Sequence, residues 1–195
     1  YPGMTVLNHE WWRPEAFAHL GRISGERIAE LSEGRMQDGV EVLLNRAVVD
    51  HDIALVVGPV LPHEVVGMSG GNKYFFPGVA GQKIIDVSHW LGALITSAEI
   101  IGTTGLTPVR ALINDGAALI PAEKLAFCVV TAEGEQNGLH SISFGGTVPA
   151  WESAAQISAA THITHLDRPV RRVLSIIPHM YDELWTGAKG FYKLE

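Results

Sequence analysis

The sequence predicts an α/β fold with a mostly parallel sheet flanked by helices. Short apolar runs, typical of strands, alternate along the chain with segments whose apolar residues recur at helical spacing. The clearest strand, Ile53 to Val57, is a continuous apolar run followed by Gly58 and Pro59, which is typical of a strand buried on both faces of a parallel sheet. The clearest helix, Lys83 to Ile95, repeats apolar residues every three or four positions.

The remaining elements follow from the same two periodicities. A short helix is predicted from Pro14 to Leu20, because proline is favoured in a first helical turn. The sequence Asn114-Asp115-Gly116 interrupts a helical pattern and could be a turn. The other predicted strands are Val40 to Leu44, Leu125 to Thr131, Leu139 to Phe144 and Val170 to Ile177, and the other predicted helices are Pro108 to Leu119, Ala150 to Ala160 and Tyr181 to Lys189, with a turn at Glu133 to Gly138.

Composition excludes several broad classes of function. Of the 195 residues, 47% are hydrophobic and 18% charged, which indicates a packed globular protein. The formal net charge of −7 argues against a nucleic-acid partner, which would need clustered Lys and Arg. No apolar run reaches the roughly 18 residues that a membrane span requires. Cys128 is the one cysteine and cannot form an internal disulfide, so we expect a buried thiol in a protein of the reducing cytoplasm.

Candidate chemistry is concentrated in the glycine-rich residues 58–81, which follow the Ile53 to Val57 strand. Ligands of open α/β sheets bind at the carboxyl ends of strands, so His63 is predicted to lie on the functional rim. Ser69, Gly70 and Gly71 could present successive N–H groups to an anion, with Lys73 able to reach a phosphate or a carbonyl carbon. The alternative is a tight structural turn. The segment is not a Walker A loop, which needs Gly-Lys followed by Ser or Thr.

Two histidines flank this segment, His63 and His89. A strand-end loop and the helix after it could bring both rings to one pocket. Imidazole is a good ligand for nickel or zinc, and it titrates near neutral pH. The alternative is that each histidine is structural or merely exposed.

The same block carries a family resemblance. Residues 62–73 read PHEVVGMSGGNK, followed by Pro77-Gly78 and then His89, with 10 positions from His63 to Lys73 and 16 from Lys73 to His89. This motif resembles the signature of the LarA-like lactate racemase family, whose members use a nickel-pincer nucleotide. The resemblance implies that the chain is a fragment covering most of the N-terminal domain of such an enzyme.

The resemblance implies a mechanism and a role for each matching residue. The implied reaction is racemisation or epimerisation of a 2-hydroxy acid by hydride transfer to the nickel-pincer nucleotide. Lys73 would carry the nucleotide covalently, His89 would complete the nickel coordination, and His63 would be the catalytic group that takes the proton of the substrate hydroxyl. Ser69, Gly70 and Gly71 would hold the nucleotide. The expected partners are a small 2-hydroxy acid and the proteins that synthesise the cofactor.

The resemblance extends towards both ends of the chain. Val6 to His9 resembles a family stretch that follows an upstream catalytic motif, and Leu184 to Lys189 resembles a family segment of the form Leu-Tyr-Gln-Ala-x-Lys. On that match Lys189 contacts the substrate, with Trp185 and Thr186 in the places where the family often has Tyr and Gln. These three residues are therefore predicted to bind the substrate.

The predicted domain organisation follows from this match. Residues 1–178 are interpreted as the cofactor-holding domain without its upstream part, and residues 179–195 as a linker helix towards a C-terminal domain. A second catalytic His and a carboxylate-binding Arg of the family have no counterpart here, so these 195 residues are expected to be inactive alone. Two alternatives remain: a non-catalytic nucleotide- or metal-binding module, and a nucleotide- or anion-binding hydrolase that uses Lys73.

Overall fold

The structure, a computed structural model, describes residues 3–131, 138–168, 170–174 and 176. Strands and helices alternate along most of this length, which confirms the α/β class. The strands are β1 (Phe17–Ile23), β2 (Val40–Asn45), β3 (Ile53–Pro59), β4 (Pro62–His63), β5 (Gly67–Met68), β6 (Glu123–Thr131) and β7 (Leu139–Gly146), and the helices are α1 (Gly25–Leu31), α2 (Arg46–Val49), α3 (Gln82–Ile95), α4 (Ser97–Ile100), α5 (Pro108–Ala118) and α6 (Thr147–His162).

The largest sheet in the described residues is mixed, so the prediction of a mostly parallel sheet is wrong. Its strand order is β3-β6-β7; β3 pairs with β6 in parallel, and β7 pairs with β6 antiparallel. The reason lies in the connections. Only residues 132–138 separate β6 from β7, and a parallel crossover needs a dozen or more residues.

β3 is buried on one face, not on both as its continuous apolar run suggested. Helix α6 packs on the face of the sheet that buries Ala126, Cys128 and Val130. Side chains alternate between the two faces of a strand, so every second apolar residue of β3 points away from α6. Within the described residues, that second face is open. Its exposed apolar side chains are Ile53, Leu55, Val57, Ile142 and Phe144.

The predicted helix from Pro14 to Leu20 is wrong beyond its first turn. Pro14–Ala16 form a 3-10 turn, and the chain then continues as β1, which pairs antiparallel with β2 from Phe17↔Asn45 to Ile23↔Val40. Proline favoured the turn as expected, but pairing with β2 determines the conformation of the residues that follow. The strand predicted at Val40 to Leu44 is confirmed as β2.

Asn114-Asp115-Gly116 lies inside α5 and does not form a turn. Each residue has a tertiary role that favours the helix. The amide of Asn114 accepts a hydrogen bond from Asn72 at 3.0 Å, and Asp115 pairs with Arg27 at 2.7 Å. Gly116 is buried in the core. The helices predicted at 83–95, 108–119 and 150–160 are confirmed as α3, α5 and α6, and the strands at 125–131 and 139–144 as β6 and β7.

The end of the chain differs from the prediction where it is described. Residues 170–174 and 176 are not paired in a sheet, so the strand predicted at Val170 to Ile177 is wrong for these residues. A strand conformation depends on a hydrogen-bonded neighbour, and these residues have none. The helix predicted at Tyr181 to Lys189 lies outside the described residues, as does most of the turn predicted at Glu133 to Gly138. In the described part of the chain, no helix is both long and apolar enough to cross a membrane.

Two hydrophobic clusters form the core, and the glycine-rich segment contributes to both. The larger packs β2 against α3 and α5, and it includes Phe75 and Phe76 from the end of that segment. The smaller lies between α6 and β6 and includes Met68. The segment that carries the candidate chemistry is therefore held in the core at both ends.

The larger cluster should carry much of the stability. Leu112 on α5 is 0% exposed, whereas Leu106 just before that helix is 68% exposed. We expect Leu112→Ala to lower the free energy of unfolding by about 2–5 kcal/mol, because it opens a cavity in the core. Leu106→Ala should change it by less than about 0.5 kcal/mol. Equal midpoint shifts for the two variants in urea denaturation would contradict the packing described here.

Candidate functional site

The glycine-rich segment begins where β3 ends and turns back on itself. β4 and β5 form a small antiparallel hairpin in which His63 is paired with Gly67, and residues Gly71–Tyr74 then form a 3-10 turn. The N–H of Val60 donates to the Val129 carbonyl at 2.9 Å, which continues the pairing of β3 with β6. The segment therefore leaves the carboxyl end of β3, at the edge of the sheet where the sequence predicted a functional rim.

Hydrogen bonds of Ser69 connect the hairpin to the end of β3. Its N–H donates to the Leu61 carbonyl at 2.8 Å, and its Oγ accepts from the Leu61 N–H at 2.9 Å. The same hydroxyl donates to the Pro59 carbonyl at 3.4 Å. The N–H of Ser69 is thus already used within the fold.

Gly71 lies close to Cys128, which is buried as expected. Burial raises the pKa of the Cys128 thiol, and the nearby backbone N–H of Gly71 partly opposes that rise. Of the three successive N–H groups expected to face an anion, that of Ser69 therefore has a partner inside the protein. Binding of a nucleotide by Ser69, Gly70 and Gly71 stays a prediction, and it cannot take the form of three unoccupied successive donors.

The glycines of this loop are required by close internal packing. Gly70 has φ +82°, and a Cβ there would lie 2.6 Å from Cγ2 of Val60. Gly71 has φ +58°, and a Cβ there would lie 2.9 Å from Cβ of Trp151. Such positive φ values favour glycine over residues with a side chain. These glycines therefore allow the loop backbone to pack closely against the protein's own core.

Arg110 and Trp151 hold this loop from two helices, and the sequence analysis missed both. Arg110 on α5 is 1% exposed, and its guanidinium donates to the carbonyls of Met68 and Gly70, the latter at 3.0 Å. The indole Nε1 of Trp151 on α6 donates to the Ser69 carbonyl at 2.8 Å. The sequence did offer one signal for Arg110: it is a single arginine among the apolar residues of the helix predicted at Pro108 to Leu119.

Arg110 carries a buried charge with no carboxylate partner among the described residues. The Trp151 ring lies under it, 4.1 Å from the guanidinium carbon to the ring centroid. Burial lowers the pKa of Arg110 to about 9, which leaves the group charged at neutral pH. The two loop carbonyls and the ring face therefore provide the negative electrostatic environment that a carboxylate would otherwise supply.

His63 has a tautomer set by the backbone. The N–H of Val65 donates to Nδ1 of His63 at 3.1 Å, so the neutral ring carries its proton on Nε2. The side chain is 18% exposed, and the buried carboxylate of Glu64 lies 3.7 Å from the same Nδ1. In this conformation His63 offers an Nε2–H donor, whereas a proton acceptor at Nε2 would require the proton to move to Nδ1.

His89 has the opposite tautomer. Its Nδ1 lies 2.8 Å from the carbonyl oxygen of Ile85, one turn earlier on α3. A carbonyl can only accept, so Nδ1 carries the proton and Nε2 carries the lone pair. An imidazole whose other nitrogen donates to a backbone carbonyl is the usual form of a histidine metal ligand. Among the described residues, no group of three or more side chains that could hold a metal ion is present.

The described site residues, from His63 to His89, lie on a single loop segment and on the helix that packs beside it. His63, Ser69, Gly70, Gly71 and Lys73 share the continuous segment described above. Helix α3 packs beside that segment: a Cβ at Gly92, one turn after His89, would lie 2.8 Å from Cγ1 of Val65, two residues after His63. The predicted substrate-binding residues Trp185, Thr186 and Lys189 lie outside the described residues.

Comparison with known proteins finds similarity over part of the chain. Residues 8–102 match the family model described as the lactate racemase N-terminal domain, and this range contains every predicted site residue from His63 to His89. Over these residues the chain is similar to the LarA-like lactate racemase family. A curated relative, the lactate racemase of Lactiplantibacillus plantarum, is 26% identical over 148 residues, which cover 76% of this chain and 32% of that protein.

Two solved structures are also similar to this chain. A crystal structure of a Thermotoga maritima protein matches with a TM-score of 0.88 and 32% identity, over 97% of this chain and 47% of that one. The lactate racemase apoprotein of Thermoanaerobacterium thermosaccharolyticum matches with a TM-score of 0.49 and 20% identity, over 61% of this chain and 28% of that one. The chain therefore spans about a third of the curated lactate racemase and about half of the Thermotoga protein.

The packing of the loop predicts a specific cost for a methyl group at Gly71. Gly71→Ala places a Cβ against Trp151 at a positive φ, so we expect the free energy of unfolding to fall by about 1–3 kcal/mol. Gly105→Ala is the matched control, because no atom lies within 4 Å of a Cβ there. Its effect should stay below about 1 kcal/mol. Indistinguishable unfolding curves for the two variants would show that the loop is not packed as described.

Proposed function

We propose that this chain forms the cofactor-holding part of a racemase or epimerase that acts on a 2-hydroxy acid with a nickel-pincer nucleotide. The observation that supports the proposal most strongly is the lactate racemase N-terminal match over residues 8–102, which includes Lys73, His63 and His89. The comparisons do not favour the alternative of a non-catalytic binding module. Because the chain spans only part of its relatives, the activity proposed is that of the whole enzyme.

The residues present fit such a cofactor. His89 fits a nickel ligand, since the Ile85 carbonyl leaves the lone pair on Nε2. Lys73 fits a covalent anchor, since its backbone is fixed at both sides: its N–H donates to the Gly70 carbonyl at 3.2 Å, and its carbonyl accepts from the Gly78 N–H at 3.3 Å. When bound, the nucleotide supplies the acceptor for the hydride that leaves the substrate α-carbon.

His63 handles the proton of the substrate hydroxyl in this proposal. With its proton on Nε2, the ring first serves as a donor to the substrate oxygen. To take the hydroxyl proton at Nε2, the ring must first release its Nε2 proton to solvent and gain a proton on Nδ1, which breaks the bond from the Val65 N–H. The Glu64 carboxylate, 3.7 Å from Nδ1, is placed to stabilise that form. General-base work by an imidazole near neutral pH is consistent with this exchange.

Substrate recognition is assigned to the end of the chain by the family resemblance. Lys189 would contact the substrate, with Trp185 and Thr186 also in substrate-binding positions. The substrate class is a small 2-hydroxy acid. Proteins that build and load the nucleotide would be required partners, and they would act in the same compartment, which we propose to be the cytoplasm.

Covalent loading at Lys73 tests the proposal directly. We expect incubation with nickel-pincer nucleotide to add the mass of the nucleotide to the parent protein, because Lys73 forms the covalent link. Lys73→Ala should show no added mass, as read by intact-mass spectrometry. Lys83→Ala is the control, since Lys83 is an exposed lysine on α3, and it should load like the parent. An adduct that persists in Lys73→Ala would refute the assignment.

A further inference from the structure

Three consecutive carbonyls of the glycine-rich loop are held from outside the loop. Those of Met68 and Gly70 accept hydrogen bonds from Arg110 on α5, and that of Ser69 accepts from Trp151 on α6. The guanidinium also stacks on the Trp151 ring. The two side chains therefore form one unit, the Arg110–Trp151 clamp, which joins two helices to a single stretch of loop backbone.

The clamp connects directly to Lys73. The Gly70 carbonyl accepts one hydrogen bond from Arg110 at 3.0 Å and another from the N–H of Lys73 at 3.2 Å. The guanidinium of Arg110 and the backbone N–H of Lys73 thus donate to the same carbonyl oxygen. A change at Arg110 would act on Lys73 through that carbonyl.

We propose that Arg110 and Trp151 are positioning residues that set the orientation of Lys73 by holding the carbonyls of Met68, Ser69 and Gly70. The inference rests on the proposed function, because Lys73 needs a fixed orientation only if it carries the cofactor. It is nevertheless a statement about this chain's own residues, and it can be tested without cofactor.

Packing alone does not account for an arginine at position 110. A buried charge without a carboxylate partner is costly unless hydrogen bonds compensate for its loss of solvation, so an arginine here needs acceptors. A guanidinium offers forked donors that reach two acceptors at once, which no apolar residue and no lysine provides. The fork is used on two carbonyls of the loop that precedes Lys73. The chemistry of the residue therefore matches a positioning role.

Competitive lysine labelling measures the effect. The folded protein is acetylated briefly at low reagent concentration, and modification at Lys73, Lys83 and Lys124 is quantified by peptide mass spectrometry. In Arg110→Met, which keeps an unbranched side chain of similar length but removes the donors, labelling of Lys73 relative to Lys83 and Lys124 should change by about threefold or more as the loop is released. Trp151→Phe, which keeps a ring but removes the N–H, should change it in the same direction by less.

Arg27→Met is the matched control. Arg27 pairs with Asp115 on the same helix α5 but does not touch the loop. This variant should lower the melting temperature without changing the labelling of Lys73 relative to Lys83 and Lys124, because loss of stability alone acts on all lysines together.

Labelling of Lys73 relative to Lys83 and Lys124 that is unchanged in both Arg110→Met and Trp151→Phe would overturn the proposal. If Arg110→Met fails to fold, Trp151→Phe decides alone. Absence of a cofactor adduct in the parent protein would refute the proposed function but leave this result standing.

Discussion

The hydrogen bonds from Arg110 and Trp151 to three consecutive carbonyls are the interaction on which the rest of the site depends. Met68 and Gly70 are buried and Ser69 is partly buried, and a buried carbonyl left without a donor costs about 1–3 kcal/mol. With those donors in place, the chain can leave β3, form a hairpin and enter a 3-10 turn while remaining inside the core. Lys73 is then presented from a backbone fixed by its neighbours.

Backbone groups also decide what the two candidate histidines can do. A donor, the Val65 N–H, meets Nδ1 of His63, and an acceptor, the Ile85 carbonyl, meets Nδ1 of His89. The first ring consequently presents a proton on Nε2 and the second presents a lone pair. The fold thus gives two identical side chains opposite tautomers, which is consistent with the roles proposed for them: proton transfer at His63 and metal ligation at His89.

Short-range sequence patterns, such as helical spacing and apolar runs, correctly predicted several helices and strands. The helical spacing of α3 and α5 and the apolar runs of β6 and β7 were sufficient to place those elements. Tertiary pairing decided the rest: β1 became a strand because β2 lies beside it, and β3 is open on one face because burial depends on what packs there. The motif from His63 to His89 located the candidate site. The Arg110–Trp151 clamp escaped prediction because its residues lie far from the loop in sequence, and their contacts arise only on folding.

We propose that His89 and Lys73 together hold a nickel-pincer nucleotide. X-ray absorption at the nickel edge, recorded on the loaded protein and on His89→Ala, tests this assignment. We expect the outer-shell scattering of one imidazole in the parent protein and its loss in His89→Ala, with the nucleotide still attached through Lys73. Identical nickel spectra for the two proteins would contradict the assignment of His89 as the metal ligand.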